Sequence, residues 1–510
     1  KIKADLHQLK IADLIAKRSD SASNKLSSLY LDCNFGSVGL PDINDGVISS
    51  ESAMQEKTQQ SVGSLKNKIE PNAQQESQNI ESIDEEVGGI NCVERTAYLI
   101  ENRISCILGE MENRGLCVNP EQLEMLKKDL VERINSIEQE VYYYVGHEFN
   151  INSPKQLSEV LFTHLNINTG AIVGKKKGKT GLSTREEILV ELQDAHPIIS
   201  RILEYRELNK MLTTYVDVLI RKSNESYQSS KKEYVINTDF KQIGTSSGRF
   251  SSVNPNLQNI PIKGDWSKRI REVFVPRRKF KYVSIDYSQI EFRVMADVSG
   301  DKALREIFNN RQDIHRATAS KIFDKPEDLI SSEERGRGKT LNFAVLYGLT
   351  PFGLSRQLKI TQAEASKYIN DYFEKYFGVA QYIENSTKEA LVNGYVQSMF
   401  GRRRYIYGLD SKNRNIKSAA IREAINMPIQ GSASDLMKIA MIAIDDLIMN
   451  KYSSKAFLLL QIHDEIILEV GEDILEDFEK DAVKVMTEIV QLEVPLEVHF
   501  SSGNNMAELK

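Results

Sequence analysis

Several features that would restrict function are scarce in this sequence of 510 residues. Its four cysteines, Cys33, Cys92, Cys106 and Cys117, form no close pair, which argues against a zinc ribbon and against a disulfide-stapled secreted protein. No apolar run approaches the roughly 18 residues of a membrane span, and no secretory signal is visible after Lys1. We therefore expect an intracellular, reduced protein that does not associate with a membrane.

Aromatic residues are missing from one whole segment near the N-terminus. Between Gly36 and Ala97 the chain has no Phe, Tyr or Trp, and its polar stretches are repetitive. Such a composition cannot bury enough apolar surface to offset the entropy of ordering the chain. We predict a disordered linker over residues 31–93, preceded by a short helical piece over residues 1–30.

An excess of positive charge is also missing, since the net charge is −6. Residues 1–100 carry ten lysines and arginines against 15 acids, whereas the other 410 residues carry 56 against 57. A nearly neutral body can still collect its cations along one groove, and the local patch is what meets phosphates. The runs at 175–179 and 402–404 are candidate basic patches, although such runs are more often solvated loops.

Between residues 94 and 232 the sequence predicts helices. Ser153 and Pro154 suit an N-cap followed by proline at the first helical position. The segment Ser183-Thr184-Arg185-Glu186 has the spacing of a capping box, and residues 199–222 predict one long amphipathic helix.

Two predicted strand segments carry acids that suit a metal site. Alternation in residues 281–287 places the apolar side chains on one face and leaves Asp286 on the other. Two apolar runs within residues 456–470 flank His463-Asp464-Glu465, which predicts a β-hairpin with acids at its tip. An Asp on a strand or in a turn is often merely structural, but adjacent acids inside a fold are costly unless a cation neutralises them.

A predicted helix spans residues 335–348. Arg335, Lys339, Phe343 and Tyr347 recur every four residues and so share one stripe, with cations in its first half and aromatic rings in its second. A nucleoside triphosphate requires charge for its phosphates and a flat surface for its base, in this order. The alternative is a core helix whose first turns are solvated.

Taken together and in this order, the segments resemble the polymerase region of the family A DNA polymerases, from about residue 94 to residue 510. The motifs that carry the resemblance are Asp286-Tyr287-Ser288-Gln289-Ile290-Glu291, Arg335 through Gly348, Gln461-Ile462-His463-Asp464-Glu465, Ser247 to Pro261, and Asn426-Met427-Pro428-Ile429-Gln430-Gly431. The resemblance implies an α+β fold shaped like a right hand, with a helical thumb, an antiparallel-sheet palm and helical fingers. The implied division is thumb and palm entry 94–232, first palm part 233–302, fingers 303–420 and second palm part 421–510, with 1–30 a vestige of an exonuclease.

The resemblance also implies the roles of the site residues. Asp286 and Asp464 would bind two Mg²⁺ ions, for which Mn²⁺ can substitute, and Glu465 would support them. Lys339 is the candidate for protonating the departing pyrophosphate. The implied nucleotide contacts are Arg335, Lys339, Phe343, Tyr347, His315, Glu291 and Gln289.

Two of these nucleotide contacts imply substrate selection. Glu291 matches a steric gate that excludes the ribose 2′-hydroxyl, and Phe343 implies discrimination against dideoxynucleotides. The implied DNA contacts are Arg249, Gln430, His463, Arg422, Asn426, Lys175, Lys176 and Lys177.

The sequence thus predicts a monomeric DNA-templated DNA polymerase that extends a primer with dNTPs, in replication or repair, in a bacterial cytoplasm or nucleoid or in a DNA-containing organelle. We expect no proofreading exonuclease in this chain, because its D-x-E string, Asp84-Glu85-Glu86, lacks a strand pattern. One alternative is an RNA polymerase of the single-subunit type, against which Glu291 argues. The other is a catalytically silent primer-template-binding protein, which would not need both Asp286 and Asp464.

Overall fold

The computed structural model of the chain describes residues 92–167, 177–178, 181–227 and 233–509. Nearly all of them belong to the second of the two units into which the chain divides, Ile100–Lys510. The predictions for residues 1–30, for the linker up to residue 91 and for Asp84-Glu85-Glu86 lie outside the described residues, as do those for Lys175 and Lys176.

Helices make up most of the described chain before residue 280. In chain order they are α1 (Cys92–Arg114), α2 (Pro120–Val145), α3 (Pro154–Glu159), α4 (Glu186–Glu191), α5 (Pro197–Lys210), α6 (Asp217–Glu225) and α7 (Asp265–Glu272). A π-helical stretch, Val160–His164, continues α3, and a second, Met211–Val216, joins α5 to α6. The long helix predicted over 199–222 is therefore confirmed, with a π-helical stretch inside it.

Local sequence signals explain where several helices begin. The Asn119 side chain accepts a hydrogen bond from the Gln122 backbone N–H at 3.1 Å and caps α2, whose first residue is Pro120. Helix α3 begins in the predicted way, with Ser153 as its N-cap and Pro154 after it. Such caps satisfy backbone N–H groups that have no partner within the helix.

The capping box predicted over Ser183-Thr184-Arg185-Glu186 is wrong. Arg185 occupies the N-cap of α4 and makes no side-chain capping bond. The Arg206 guanidinium donates to the Thr184 carbonyl at 2.6 Å and so holds Thr184 in the loop before the helix. The Ser183 hydroxyl accepts from the Arg185 N–H instead, at 3.4 Å.

A four-stranded antiparallel sheet lies at the centre of the second unit. Its strands, in spatial order, are β10 (Ala456–Ile462), β11 (Glu465–Gly471), β7 (Phe280–Tyr287) and β12 (Val498–Gly503). Small two-stranded sheets join β1 (Leu116–Cys117) to β4 (Val235–Ile236), β2 (Lys177–Gly178) to β3 (Gly181–Leu182), β5 (Asp239–Lys241) to β6 (Ser251–Val253), and β8 (Tyr395–Gln397) to β9 (Arg403–Tyr405). The strand predicted from alternation and the hairpin predicted from two apolar runs are both confirmed, and they pair with each other.

The remaining helices follow β7 in the chain, and the last two of them contact the central sheet. They are α8 (Ile290–Ser299), α9 (Lys302–Asn309), α10 (Ile314–Phe323), α11 (Ser332–Leu346), α12 (Pro351–Leu358), α13 (Gln362–Lys375), α14 (Phe377–Asn393), α15 (Arg414–Lys451) and α16 (Leu475–Glu488). Short 3₁₀ turns are Leu257–Asn259, Glu327–Leu329, Glu472–Ile474 and Met506–Glu508. Helix α15 has 38 residues and contains Pro428. It packs against α8, α14 and α16 and contacts β10.

The α+β class predicted from the sequence is confirmed, with helices in the majority and antiparallel sheets. The central sheet combines one strand from the predicted first palm part with three from the predicted second part, although the boundaries of thumb, palm and fingers stay predictions. No helix within the described ranges has the length and apolarity to cross a membrane.

Candidate active site

Asp286 and Asp464, which are distant in the sequence, meet at one end of the central sheet. Asp286 lies near the end of β7, and Asp464 lies in the tight turn between β10 and β11. The Tyr287 backbone N–H donates to the Asp464 carbonyl at 3.0 Å. His463, the other residue of the turn, has a left-handed φ of 51°, a conformation that allows the chain to reverse within two residues.

Carboxylates crowd this end of the sheet. Glu465 lies directly opposite Asp286 in the β11–β7 register. Burial raises the pKa of Asp286 to about 7, with further contributions from the negative charges of Glu465 and Asp464. Burial also raises the pKa of Asp464, although Arg249 and His463 act in the opposite direction. The site therefore holds negative charge that an external cation would neutralise.

This donor set is compatible with Mg²⁺ rather than with a closed metal site of the protein alone. No group of three or more His, Cys, Asp or Glu side chains is arranged to hold a metal among the residues that the structure describes. Mg²⁺ is usually bound by one or two carboxylates, and it completes its octahedron with water and substrate phosphates. Asp286 and Asp464 supply what such a site takes from a protein.

Two further residues face this acid pair from the sheet. The Ser284 hydroxyl, two residues before Asp286 on β7, donates to the Glu465 carboxylate. His499 is exposed and lies opposite Asp286 in the β12–β7 register. Reasoning from the sequence missed His499, because alternation around residue 499 can indicate a strand but not its pairing partner.

A buried polar network connects the acid pair with the helices. Nη2 of Arg249 lies 2.5 Å from Oε1 of Glu291 and 3.5 Å from Oδ1 of Asp464. The Tyr347 hydroxyl donates to Oε2 of Glu291 at 3.1 Å. Glu291 is 6% exposed in the first turn of α8, and Gln289 precedes that helix with a φ of 54°. Burial raises the pKa of Glu291, whereas Arg249 lowers it.

The four-residue stripe predicted on α11 forms a continuous surface. Arg335 is partly buried and donates through Nε to Asp313 at 2.5 Å. Lys339 is exposed, with its Nζ 6.0 Å from the centroid of the Phe343 ring. The rings of Phe343 and Tyr347 are stacked, with centroids 5.9 Å apart and an interplanar angle of 24°. Cations and rings thus follow one another in the predicted order.

His315 is buried behind this stripe. Its side chain is 4% exposed, its ring centroid lies 6.0 Å from that of Phe343, and its Nδ1 lies 3.0 Å from the Asn342 amide nitrogen. Burial lowers the pKa of His315 to about 4, so its imidazole is neutral at neutral pH. Helices α10 and α11 pack so closely that a Cβ at Gly338 would lie 2.4 Å from the His315 carbonyl oxygen. The predicted triphosphate contact of His315 stays a prediction.

The residues predicted to contact DNA occupy several elements. Arg422, Asn426 and Gln430 are partly buried on α15. Atoms of Arg422 lie against Gly348 just after α11, and Oδ1 of Asn426 is buried with no hydrogen-bond partner in the described part of the chain. His463 is exposed beside Asp464, and Lys177 lies in β2.

Comparisons with known proteins give consistent results. The family model "DNA polymerase family A" matches residues 120–508. DNA polymerase I of Lactococcus lactis subsp. cremoris (strain MG1363) is 42% identical over 406 residues, which are 79% of this chain and 45% of that protein. DNA polymerase I of Bacillus subtilis (strain 168) is 41% identical over 412 residues, 81% of this chain and 46% of that protein. The chain therefore spans a little under half the length of these relatives.

A solved structure is also similar. It is the POL domain of Pol1 from M. smegmatis in complex with a DNA primer-template and dNTP. The TM-score is 0.74 at 36% sequence identity, and the match covers 82% of this chain and 72% of that one.

Proposed function

This chain belongs to DNA polymerase family A, and from that membership we propose that it is a DNA-templated DNA polymerase that extends the 3′ end of a primer with dNTPs. The observation that carries the proposal is the convergence of Asp286 and Asp464 at one end of the central sheet. The similarity to a polymerase domain that holds primer-template DNA and dNTP supports the choice of substrates.

Asp286 and Asp464 are the proposed ligands of two divalent cations. When bound, two Mg²⁺ ions lower the pKa of the primer 3′-hydroxyl and neutralise charge on the leaving pyrophosphate. The two carboxylates supply the fixed negative charge for this position, and the Ser284 hydroxyl keeps the neighbouring Glu465 in place. Mn²⁺ can take the same oxygen ligands.

Helix α11 is the proposed platform for the incoming nucleotide. Asp313 holds Arg335 through Nε, and this leaves the two terminal amino groups of Arg335 able to face phosphate oxygens. Lys339 is exposed and is the proposed proton donor to pyrophosphate. Phe343 would lie against the incoming nucleotide, with His315 packed behind it as a further triphosphate contact.

Glu291 and Tyr347 are the proposed selectors of sugar and base pair. Tyr347 donates to the Glu291 carboxylate, and Arg249 lies between Glu291 and Asp464. A ribose 2′-hydroxyl would compete for the space that the Glu291 side chain occupies. Gln289 precedes Glu291 at the start of α8 and is proposed as a further nucleotide contact. Phe343 would disfavour dideoxynucleotides.

Primer-template DNA is the proposed partner of a surface formed by several elements. The buried oxygen of Asn426 has no partner in the described residues, and a polar group of bound DNA would supply one. Contacts to minor-groove acceptors can test pair geometry without reading sequence. The other proposed contacts are Arg249, Gln430, His463, Arg422, Lys175, Lys176 and Lys177.

Primer extension with purified protein tests this function. We expect extension with dNTPs and not with rNTPs, which also tests the alternative of RNA synthesis. Asp286→Asn should abolish extension but retain primer-template binding, whereas Asp473→Asn, which changes an exposed acid paired with Lys455, should extend like the wild type. Equal extension by the wild type and Asp286→Asn would overturn the assignment of the site.

We also propose that this chain acts as a monomer inside the cell, in replication or repair, and that it does not excise mismatched primer ends. Incubation of a mismatched primer-template with the protein and Mg²⁺ but without dNTPs tests the last point. An intact primer is expected, and progressive shortening from the 3′ end would contradict it.

A further inference from the structure

A buried cluster of four charged side chains lies outside the proposed catalytic and binding residues. Asp435 and Lys438, both on α15, are 0% and 1% exposed. Arg402, immediately before β9, donates to Oδ1 of Asp435 through Nε at 2.8 Å and through Nη2 at 2.6 Å. Glu101 on α1 accepts from Arg402 and, at 2.5 Å, from Nζ of Lys438. Arg402 therefore does not belong to a solvated basic loop.

The cluster contacts the residue on each side of Arg249. A Cβ at Gly248, where φ is 81°, would lie 2.6 Å from Nε of Arg402 and 2.8 Å from its Cζ, so the Arg402 side chain lies directly against the Gly248 backbone. On the other side, Nζ of Lys438 lies 4.8 Å from the centroid of the Phe250 ring, within cation–π distance. Two cations of one cluster thus hold both neighbours of Arg249.

Further hydrogen bonds make this support rigid. The Gln242 side chain, in the segment that leads to Gly248, donates to the Glu101 carbonyl at 2.7 Å and also to the Glu101 carboxylate. The Ser398 hydroxyl donates to Oδ2 of Asp435 at 2.7 Å. Because each anion of the cluster has cationic and neutral donors, the charges are compensated inside the fold.

We propose that Arg402 and Lys438 are positioning residues that hold the Arg249 guanidinium between Glu291 and Asp464. Nη2 of Arg249 is 2.5 Å from Glu291 and 3.5 Å from Asp464, and a shift of the Gly248–Phe250 backbone would change both distances. Arg402 and Lys438 act through Arg249 and do not touch the substrate. The inference rests on the proposed polymerase function.

A double-mutant cycle distinguishes positioning from a purely structural contribution. Arg402→Met should lower kcat/KM for primer extension roughly tenfold in the wild-type background. In an Arg249→Ala background the same substitution should change kcat/KM by less than about twofold, because the guanidinium that Arg402 positions is then absent. Lys438→Met should behave in the same way.

Lys451→Met is the matched control. Lys451 lies on α15 like Lys438 but is exposed and pairs with Asp481 on α16. It should leave kcat/KM unchanged in both backgrounds. Equal losses caused by Arg402→Met in the two backgrounds would overturn the positioning role, whereas a wild-type protein that extends no primer would instead overturn the proposed function.

Arg402→Met removes the cation that pairs with buried Asp435 and could therefore prevent folding. A second variant then tests the same inference. Gly248→Ala removes no charged group but places a methyl group where the Arg402 side chain lies, so the Gly248 backbone and Arg402 must move apart. It should lower kcat/KM at least about fivefold in the wild-type background and less than about twofold beside Arg249→Ala. Additive losses in this cycle would also overturn the inference.

Discussion

The two ends of strand β11 carry acids in opposite electrostatic states. Glu465 and Glu469 are four residues apart, so their side chains leave the sheet on the same face. At the first end Glu465 stands beside Asp286 and Asp464, and the arginine that approaches Asp464, Arg249, is shared with another acid, Glu291. Negative charge is in excess there.

At the second end the balance is reversed. Glu469 is 0% exposed and accepts from Nη2 of Arg114 at 2.5 Å, from the Arg277 backbone N–H at 2.9 Å and from Nη1 of Arg277 at 3.1 Å. The Arg114 guanidinium also lies 3.4 Å from the centroid of the Phe457 ring. Two arginines and a backbone donor compensate one carboxylate.

The comparison teaches how a structural acid differs from a functional one on the same strand. A buried charge that the protein pairs itself needs nothing from outside and contributes to the fold. Burial, together with nearby acids that lack enough cations, raises the pKa of Asp286 to about 7, and such a group attracts divalent cations and the phosphates that accompany them. The shortage of compensating cations, rather than the type of residue, distinguishes the candidate active site from the structural ion pairs of Glu469.

The largest expected effect is the loss of catalysis at the unbalanced end. Asp464→Asn should lower the rate of primer extension at least about a thousandfold, because it removes one of two proposed metal ligands. The free energy of unfolding should not fall, because one of several repelling carboxylates is gone. Single-turnover extension and urea denaturation measure the two quantities. A variant that is destabilised yet fully active would show that Asp464 stabilises the fold and is not needed for catalysis.

The balanced end should show the opposite result. Glu469→Gln removes the buried carboxylate that Arg114 and Arg277 share and leaves Arg277 with the partly exposed Glu233 alone, and we expect the free energy of unfolding to fall by about 3–5 kcal/mol. Activity per folded molecule should stay near that of the wild type. Urea denaturation followed by circular dichroism gives the first quantity, and extension assays corrected for the folded fraction give the second. Unchanged stability would show that the pairing contributes nothing to the fold.

Local sequence patterns were sufficient to predict strand β7 and the β10–β11 hairpin, which carry the acids at both ends of β11. Alternation identified the strand at 281–287, and two apolar runs around His463-Asp464-Glu465 identified the hairpin at 456–470. Four-residue spacing identified the stripe on α11. The capping box at 183–186 failed because the helix begins later than predicted, with Arg185 as its N-cap and with Thr184 in the preceding loop, where its carbonyl accepts from Arg206.

The sequence could not show which of the two glutamates of β11, Glu465 or Glu469, is paired with arginines. The partners of Glu469 lie 355 and 192 positions away along the chain, at Arg114 and Arg277, and the folded arrangement alone brings them together. The same limit applies to Arg402, which looks like part of a basic surface run but lies inside a cluster with Asp435. Register between distant strands likewise hid His499.

His315 differs from the acids at both ends of β11, because it is buried and carries no charge. Because its pKa is lowered to about 4 from an ordinary 6.5, the unfolded chain takes up a proton first as the pH falls. The stability due to neutral His315 is complete above the unfolded pKa and is lost as the pH falls toward the folded pKa. Because of this group, the free energy of unfolding of the wild type should fall by about 2 kcal/mol when the pH is lowered from about 7.5 to about 5.

The variant His315→Asn isolates this contribution. Its free energy of unfolding should fall less steeply than that of the wild type over the same pH interval, because Asn does not titrate. Urea denaturation at both pH values gives the difference between the two proteins. Parallel pH profiles would show that His315 has the same pKa in the folded protein and in the unfolded chain, so that burial does not hold it neutral.

The smallest expected effect concerns Glu465, which stands at the unbalanced end but is held by the protein. The Ser284 hydroxyl donates to its carboxylate, and its position on β11 opposite Asp286 lets its charge act across the sheet. Glu465→Gln should therefore lower primer extension by no more than about tenfold, far less than the loss of a metal ligand. Ser284→Ala removes the hydroxyl that holds Glu465 and should act in the same direction with a smaller effect. Extension rates across a range of Mg²⁺ concentrations measure both variants. A loss as large as that of Asp464→Asn would place Glu465 among the ligands, and the excess negative charge at this end would then be shared by three acids rather than concentrated on two.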